Sequence, residues 1–385
     1  MNQHLAAVGL ASALLGTAGC ARSAPPVPAP VPLIPPSQLE VRLYLIGDAG
    51  DPAPGGEPVL MALRRELATR DGRQIVLFLG DNAYPRGLPA PKNKDRREAE
   101  RRISEQVKVI TGSGVTGYFI LGNHDWAKYG GEGWDAVRRQ EAFVDSAGQG
   151  KAWVLPSGGC PGPSRIDIGR LRLLLIDTQW WLHPGPKPRD PTSACATDAE
   201  SEIVDSLRAG LAGTAGRVVV VAGHHPLVSG SIHGGHFGWM DHIFPLRNLE
   251  PWLWIPLPIL GSLYPGLRQS GISSQDMSSG IYQRMIAALR TAFTPVPPSL
   301  FAAGHDHGLQ VIAGRVVPLE LVSGAGMYGH YSRTVAIRGS LLARKASGYA
   351  RLDVPRTGRA RLSVIEVDRT GRSHEVFSIW VNDPP

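Results

Sequence analysis

Residues 117–125 read GYFILGNHD, an apolar run that ends in glycine, asparagine, histidine and aspartate. The apolar part has the length and composition of a buried strand. Four other apolar runs also end in glycine followed by Asp or His, at 47–50 (GDAG), 80–84 (GDNAY), 223–226 (GHHP) and 304–307 (GHDH). Because ligands bind at the carboxyl ends of strands in open α/β sheets, these five loops predict one polar pocket at one sheet edge.

The rest of the pattern predicts an α/β domain with a mixed sheet. We expect strands at 41–46, 75–79, 117–121, 171–176, 218–222 and 299–303, helices at 59–70, 95–110, 134–144 and 198–211, and short strands with turns from about 309 to 381.

The polar residues that end these runs are of the types that bind metals. They are Asp48, Asp81, Asn123, His224, His305 and His307. Mixed carboxylate and imidazole ligands favour Zn, Mn or Fe over Ca, Mg or Cu(I). These six groups are too many for one four-coordinate ion and suit two ions. Two neighbouring metal ions can bind both the attacking and the leaving oxygen of a phosphoryl displacement.

The five blocks resemble those of the calcineurin-like metallophosphoesterase superfamily and, within it, the small tartrate-resistant type of purple acid phosphatase. The family pattern is Gly-Asp-x-Gly, Gly-Asp-x-x-Tyr, Gly-Asn-His-Asp, Gly-His before Pro, and Gly-His-x-His. Residues 308–310 (GLQ) and 323–326 (SGAG) extend the similarity. The resemblance implies a four-layer α/β/β/α sandwich, with a single catalytic domain at 39–385.

The resemblance also implies a complete set of metal ligands. Asp48, Tyr84 and His307 would hold a ferric ion, and Asp81 would bridge the two metals. Asn123, His224 and His305 would hold a divalent ion, which is Fe, Zn or Mn. Tyr84 is the discriminating residue, because a phenolate on Fe(III) gives the purple colour.

The activity implied is hydrolysis of small phosphate monoesters by a metal-bound hydroxide. His124 would act as the acid near the leaving oxygen, with Asp125 orienting it. His225 would line the pocket, and His233, rather than His236, would be the further pocket histidine. The alternatives are a phosphodiesterase or nucleotidase with the same metals, and a non-catalytic surface binding module on this scaffold.

The first part of the chain has the features of an export signal. Residues 5–19 are apolar and rich in small residues, and 17–19 (TAG) precede Cys20 as in a bacterial lipobox, although Thr17 replaces the usual Leu and residues 1–4 carry no Lys or Arg. We expect a signal peptide at 1–20 and a Pro-rich tether at 21–38. The expected location is the periplasmic side of a bacterial cell envelope, as a lipoprotein, or otherwise secretion. Export would leave Cys160 and Cys195 to pair as a disulfide.

A hydrophobic insertion at about 240–280 separates the fourth and fifth blocks. Residues 249–267 read LEPWLWIPLPILGSLYPGL, whose four prolines forbid a spanning helix. The insertion is either a flap packed on the domain or an exposed apolar loop at the pocket mouth. An exposed loop would touch a membrane or select a hydrophobic substrate.

Composition excludes several other classes of protein. Of 385 residues, 43% are hydrophobic and 19% charged, which excludes a disordered polyelectrolyte. No apolar run reaches the roughly 20 residues of a membrane-spanning helix. The net charge is +7, but the basic residues at 92–102 alternate with acidic ones and predict a solvated helix face. We therefore expect no nucleic-acid partner, and the sequence leaves the oligomeric state open.

Overall fold

The computed structural model of the protein describes residues 29–189, 193–248, 252–314 and 316–381. The predicted signal peptide, with Cys20, and the first part of the tether lie outside them. The described strands are β1 (Leu39–Ile46), β2 (Arg73–Phe78), β3 (Thr116–Phe119), β4 (Ala152–Val154), β5 (Ser164–Ile168), β6 (Leu171–Leu175), β7 (Val218–Ala222), β8 (Leu300–Ala303), β9 (Leu309–Ala313), β10 (Leu319–Ser323), β11 (Ser340–Arg344), β12 (Gly348–Pro355), β13 (Ala360–Val367) and β14 (Ser373–Val381).

The strands form two seven-stranded sheets. The first has the order β14-β13-β12-β1-β2-β3-β4, and the second has the order β11-β9-β10-β8-β7-β6-β5. Neighbours from β1 to β4 pair in parallel, as do β6, β7 and β8. The parallel centre with antiparallel edges confirms the predicted mixed α/β class.

Helices cover both outer faces, which gives the four-layer α/β/β/α sandwich that the sequence predicts. The described α-helices are α1 (Pro58–Leu67), α2 (Arg96–Ser113), α3 (Gly133–Gly148), α4 (Gln179–Leu182), α5 (Glu200–Leu211), α6 (Trp239–Ile243), α7 (Leu263–Gln269) and α8 (Gly280–Phe293). Helices α1 to α3 pack on the first sheet, and α4, α5 and α8 pack on the second.

The central strands are apolar throughout because both of their faces are buried. In β2, Ile75 and Leu77 point into the core between the two sheets, whereas Val76 and Phe78 point to the helices. This alternation follows from the two-residue period of a strand. Each such side chain, when fully buried, stabilises the fold by about 1.5–3 kcal/mol.

The strand ends that precede the polar blocks are level with one another. Ile46, Phe78 and Phe119 are register partners across β1, β2 and β3, and Ala222 pairs with Ala302 across β7 and β8. The residues that follow these strands therefore emerge at one edge of the sandwich.

The structure adds detail where the sequence pattern is weak. Helix α8 was not predicted, and the predicted 240–280 insertion corresponds to residues 239–279, which contain α6, α7 and two 3₁₀ turns. We call residues 239–279 the insertion from here on. No helix within the described residues is long and apolar enough to span a membrane.

The folded chain begins before the predicted boundary at residue 39. The Val31 N–H donates to Ser378 Oγ at 3.0 Å, Arg361 donates to the Val31 carbonyl, and Ile34 is buried. The last part of the predicted tether is thus packed on the domain. Cys160 and Cys195 form the expected disulfide.

Candidate metal centre

At the sheet edge that carries the five blocks, glycines lie where neighbouring side chains leave no room for a Cβ. A Cβ at Gly122 would lie 2.2 Å from Asp81 Oδ1, and one at Gly304 would lie 2.5 Å from Asp48 Oδ2. No other residue fits there, because a Cβ cannot approach an oxygen so closely. The glycines therefore let neighbouring strand ends bring their polar side chains into contact.

One group of three ligand types meets where β1, β2 and β8 end. Tyr84 Oη donates to Asp48 Oδ1 at 3.0 Å, and His307 Nε2 lies 3.2 Å from Tyr84 Oη and 3.3 Å from Asp48 Oδ1. Asp48 and Tyr84 are buried, and His307 is partly exposed. The residues expected to hold the ferric ion thus converge from three separate strands.

The second group meets beside the first. His224 Nε2 lies 3.2 Å from Asn123 Oδ1, and His305 Nδ1 lies 3.1 Å from the same oxygen. All three residues are buried. The residues expected to hold the divalent ion are therefore also brought together.

In their neutral forms, the two histidines of the second group point unprotonated ring nitrogens toward Asn123. His224 Nδ1 lies 2.7 Å from the Leu79 carbonyl and His305 Nε2 lies 3.1 Å from the Gln275 carbonyl. A carbonyl only accepts, so each of these nitrogens carries a proton, and in a neutral ring that is the only ring proton. The opposite nitrogens are then lone pairs that face Asn123 Oδ1. Converging acceptors in a buried site repel one another unless a cation lies between them, so this donor set fits a metal.

Asp81 lies against the second group. Its Oδ2 is 3.4 Å from His224 Nε2, and its Oδ1 accepts the His124 backbone N–H at 2.9 Å. Candidate ligand atoms of Asp48, Asp81 and His224 all lie within 4.8 Å of one another. Asp81 therefore lies within reach of residues of both groups, a position compatible with the predicted bridging role.

The charged groups of this site shift one another's pKa values. Burial by itself lowers the pKa of His224, but the Asp81 and Asp48 carboxylates raise it to about 10. Burial raises the pKa of Asp81, yet the facing His224 and His124 imidazoles hold it below its ordinary range. Without a metal, His224 therefore holds a second proton beside these carboxylates, and a bound cation would take the place of that proton.

Backbone strain accumulates at the same edge. Asp48, Asp81 and His305 have positive φ angles of 57°, 54° and 67°. Non-glycine residues rarely adopt this region, and such strain clusters at functional sites.

His225 is placed differently from the prediction. It does not line the cavity, since it is fully buried behind His305. Its Nδ1 lies 2.8 Å from Thr178 Oγ1 and its Nε2 lies 2.8 Å from Gln275 Oε1. A potential ligand atom of His225 also lies within 4.8 Å of His224 and His305, but both of its nitrogens have partners, so we do not count it as a ligand.

His124 and Asp125 lie side by side in the chain but have separate contacts. His124 Nδ1 lies 2.8 Å from the Pro85 carbonyl and its Nε2 lies 3.9 Å from Asp81 Oδ2. Burial lowers the pKa of His124 to about 4. The Pro85 carbonyl, rather than the predicted Asp125, therefore orients the His124 ring.

Asp125 instead joins the second and third blocks. Its carboxylate accepts from the backbone N–H groups of Asn82 and Gly122, both at 2.9 Å, and from Gln140 Nε2 at 2.9 Å. Burial raises the pKa of Asp125 to about 7, and the nearby Asp81 charge adds to the effect. Asp125 thus fixes the loops that carry Asp81 and Asn123.

Four of the predicted ligands, Asp81, Asn123, His305 and His307, line a cavity of about 320 Å³ that residues of the insertion also line. His233 lines it, as predicted, and His236 does not. The His233 Nδ1 lies 3.0 Å from Asp276 Oδ1, and Arg268 donates to both carboxylate oxygens of Asp276. The insertion therefore holds His233 in place over the His305 ring, 4.1 Å away between centroids.

Gln275 is the insertion residue that contacts the metal-ligand shell most directly. Its backbone carbonyl fixes His305 and its side chain bonds His225, while its Nε2 donates to Gln179 Oε1 at 3.1 Å. Nothing in the sequence signalled this role, because Gln275 follows no strand and lies in a polar, irregular stretch.

The sequence patterns did not indicate three further residues near the metal centre. Lys128 and Tyr129 line the cavity from the loop after the third block, and Tyr129 Oη lies 3.0 Å from Ser273 Oγ of the insertion. His330 packs beside His307, with ring centroids 4.1 Å apart. Lys128 and Tyr129 could have been suspected from their position directly after the third block, whereas His330 had no such signal.

Comparison with known proteins identifies the family of this chain. A family model described as calcineurin-like phosphoesterase matches residues 41–242, just over half of the chain. The chain therefore belongs to the calcineurin-like phosphoesterase family. A comparison with curated protein sequences found no match.

Solved structures resemble this chain at low sequence identity. GAP50, described as the anchor in the inner membrane complex of Plasmodium, has a TM-score of 0.53 at 13% identity, covering 90% of this chain and 89% of its own. A purple acid phosphatase from yellow lupin seeds has a TM-score of 0.49 at 13% identity, covering 90% and 55%. A dimetal phosphatase from Danio rerio has a TM-score of 0.46 at 12% identity, covering 90% and 99%. At 13% identity the likeness to GAP50 concerns the fold alone.

Proposed function

We propose that the protein is a binuclear metal-dependent phosphoesterase of the purple acid phosphatase type that hydrolyses phosphate monoesters. The observation that carries this proposal is the pair of adjacent ligand groups, Asp48–Tyr84–His307 and Asn123–His224–His305, with Asp81 touching both. Two metal ions bound there would lower the pKa of a bound water and neutralise the phosphate oxygens.

Iron is favoured for the first position. Tyr84 Oη lies 3.0 Å from Asp48 and 3.2 Å from His307, so a phenolate oxygen is available to the same ion. The second group offers two imidazole lone pairs and an amide oxygen, a set suited to Fe, Zn or Mn.

The chain itself supplies the groups that surround a substrate. His124 lies at the cavity wall with its Nδ1 held by the Pro85 carbonyl, so Nε2 of the protonated ring is the atom that would pass a proton to the leaving alcohol. Because burial lowers the pKa of His124 to about 4, this acid form is populated at acidic pH. Lys128 and His233 line the same cavity and would face the phosphate ester from opposite loops. A volume of about 320 Å³ suits a phosphate group with a small ester substituent.

Metal content and substrate profiling test this function. The purified protein should contain iron plus a second metal and should hydrolyse p-nitrophenyl phosphate faster than bis(p-nitrophenyl) phosphate, with activity lost on chelation and restored by metal. Faster hydrolysis of the diester would favour the phosphodiesterase alternative.

A non-catalytic binding module is the second candidate. GAP50, which shares the fold, is described as an anchor. A complete ligand set argues against this role, and the absence of metal-dependent hydrolysis with every phosphate ester tried would support it.

We also propose that the protein is exported and anchored by a lipid on Cys20. The disulfide between Cys160 and Cys195 supports an oxidising compartment. Metabolic labelling with a fatty acid should mark the wild type and fail with Cys20→Ser. Labelling that persists in the variant would contradict the anchor.

A further inference from the structure

The insertion exposes a concentration of large apolar side chains. Ile259 is 89% exposed and Trp252 is 72% exposed. We call the following six residues the apolar face: Trp252, Trp254, Ile255, Ile259, Leu260 and Leu263. Soluble monomers rarely expose such concentrations unless they bind a partner or a membrane. This favours the exposed-loop interpretation of the insertion over a flap buried on the domain.

The apolar face belongs to an ordered unit. Leu257 donates its backbone N–H to the Ile243 carbonyl at 2.7 Å, His242 Nδ1 lies 3.1 Å from Ser262 Oγ, and the Phe244 and Trp254 rings pack 5.5 Å apart. These contacts join α6 to the segment at 252–262. The segment is therefore held in a shape that presents its apolar side chains.

The most exposed of these residues is also strained. Ile259 has φ 71° and ψ −61°, and the Leu260 N–H donates to the Pro258 carbonyl at 2.9 Å. This is the rare, positive-φ form of the γ-turn, which is unfavourable for a β-branched residue. The turn places an isoleucine at the surface in a conformation that stability alone does not favour.

A basic cavity lies next to the apolar face. It has a volume of about 470 Å³ and is lined by Trp239 and Tyr331 together with Arg247, Arg333 and Lys345, with Asp241 as its acidic member. The Arg247 guanidinium stacks 3.8 Å from the Trp254 ring centroid, which links this cavity to the apolar face. Cations beside exposed tryptophan and aliphatic residues are typical of surfaces that meet anionic lipid headgroups.

We propose that the insertion docks on an anionic lipid bilayer, with the apolar face in the headgroup region and the basic cavity receiving a lipid phosphate. The charge of the cavity favours this occupant over a second copy of the chain, which is itself net positive at +7. The cavity of the metal centre shares Ile232 with the basic cavity and is lined by Tyr264 and Arg268 of the insertion. Docking would therefore bring the metal centre to phosphate esters held in the bilayer, a substrate class that rests on the proposed function.

Vesicle binding by the full-length chain tests the docking. We compare wild type with Ile259→Ser/Leu260→Ser on vesicles of phosphatidylcholine with and without phosphatidylglycerol. The variant should bind anionic vesicles at least about tenfold more weakly, because two aliphatic side chains no longer enter the lipid. Leu33→Ser/Met61→Ser, which changes exposed apolar residues elsewhere, should bind like wild type. The N-terminal segment is the same in all three proteins.

Two further measurements locate the contact. Brominated lipids should quench wild-type tryptophan fluorescence, and Trp252→Phe/Trp254→Phe should remove much of that quenching. Arg333→Gln/Lys345→Gln should lose about tenfold of the preference for anionic over neutral vesicles. Equal binding by wild type and Ile259→Ser/Leu260→Ser, or self-association without vesicle binding, would overturn the proposal.

Activity separates the docking from the proposed function. Ile259→Ser/Leu260→Ser should hydrolyse soluble p-nitrophenyl phosphate at the wild-type rate and lose activity only on a lipid phosphate in vesicles. Vesicle binding without any hydrolysis would leave the docking intact and contradict the proposed function instead. Equal loss on both substrates would count against a role in substrate presentation.

Discussion

The sheet edge formed by the ends of β1, β2, β3, β7 and β8 and the insertion at 239–279 line the same cavity, but they are built differently. At the edge, each polar residue directly follows a buried strand and a glycine, and strand register fixes its position. In the insertion, Gln275 and Asp276 follow irregular backbone and are held by side-chain contacts. The comparison suggests that the edge supplies the metal ligands and the insertion orients them.

The largest effect should come from the residue that touches both ligand groups. Asp81→Asn removes the carboxylate that is proposed to bind both metals. The loss of several kcal/mol of Lewis-acid stabilisation should lower kcat by about 10³-fold. Metal analysis should show that less metal is bound. Asp145→Asn, at an exposed site on α3, is the control and should change neither quantity. Full metal content and activity in Asp81→Asn would break the assignment of the edge.

A smaller effect is expected for the proposed proton donor. His124→Ala should lower kcat by about 10²–10³-fold with metals retained, because proton transfer to the leaving oxygen is lost. The loss should be smaller for esters of acidic phenols, whose leaving groups need no proton. His236→Ala, outside the cavity, serves as the control. If His124→Ala loses its metal, His124 is part of the ligand shell instead.

The contribution of the insertion should be smaller again. Gln275→Ala removes the partner of His225 Nε2 and loosens the backbone that fixes His305, and the expected cost is about 10–100-fold in affinity for the second metal. Titration of the apoprotein with Zn²⁺ would measure this. Gln269→Ala, an exposed glutamine of α7, should bind Zn²⁺ like wild type. Equal affinities in both variants would mean that the insertion only covers the cavity.

The smallest effect concerns the strained residue of the insertion. Ile259→Gly removes the steric cost of positive φ and should raise the free energy of unfolding by about 1 kcal/mol. Chemical denaturation would measure the change, and the same variant should bind anionic vesicles more weakly. Leu267→Gly, in the interior of α7, should instead lower stability, because glycine costs about 1 kcal/mol in a helix interior. A destabilised Ile259→Gly would show that the turn is not strained.

The sequence predicted the α/β class and the polar residues that meet at the sheet edge, because both depend on local patterns. The disulfide was expected because export would leave Cys160 and Cys195 as a pair. Strand ends, glycines and adjacent polar residues are visible without knowledge of the fold. It failed for contacts between distant segments. The Pro85 carbonyl rather than Asp125 orients His124, His225 is buried behind the site, and Gln275 arrives from the insertion. None of these contacts has a local signature, because each depends on how irregular loops pack.

The visible spectrum of the iron-loaded protein, read beside its metal content, tests the two-metal centre most directly. We expect two metal ions per chain and a charge-transfer band. Tyr84→Phe should abolish that band and leave the circular dichroism spectrum unchanged. Tyr84 lies against both Asp48 and His307, so a ferric ion held by those residues must also meet its oxygen. A colourless protein with iron bound, or a band that survives in Tyr84→Phe, would contradict the proposal that Tyr84 binds a ferric ion in this centre.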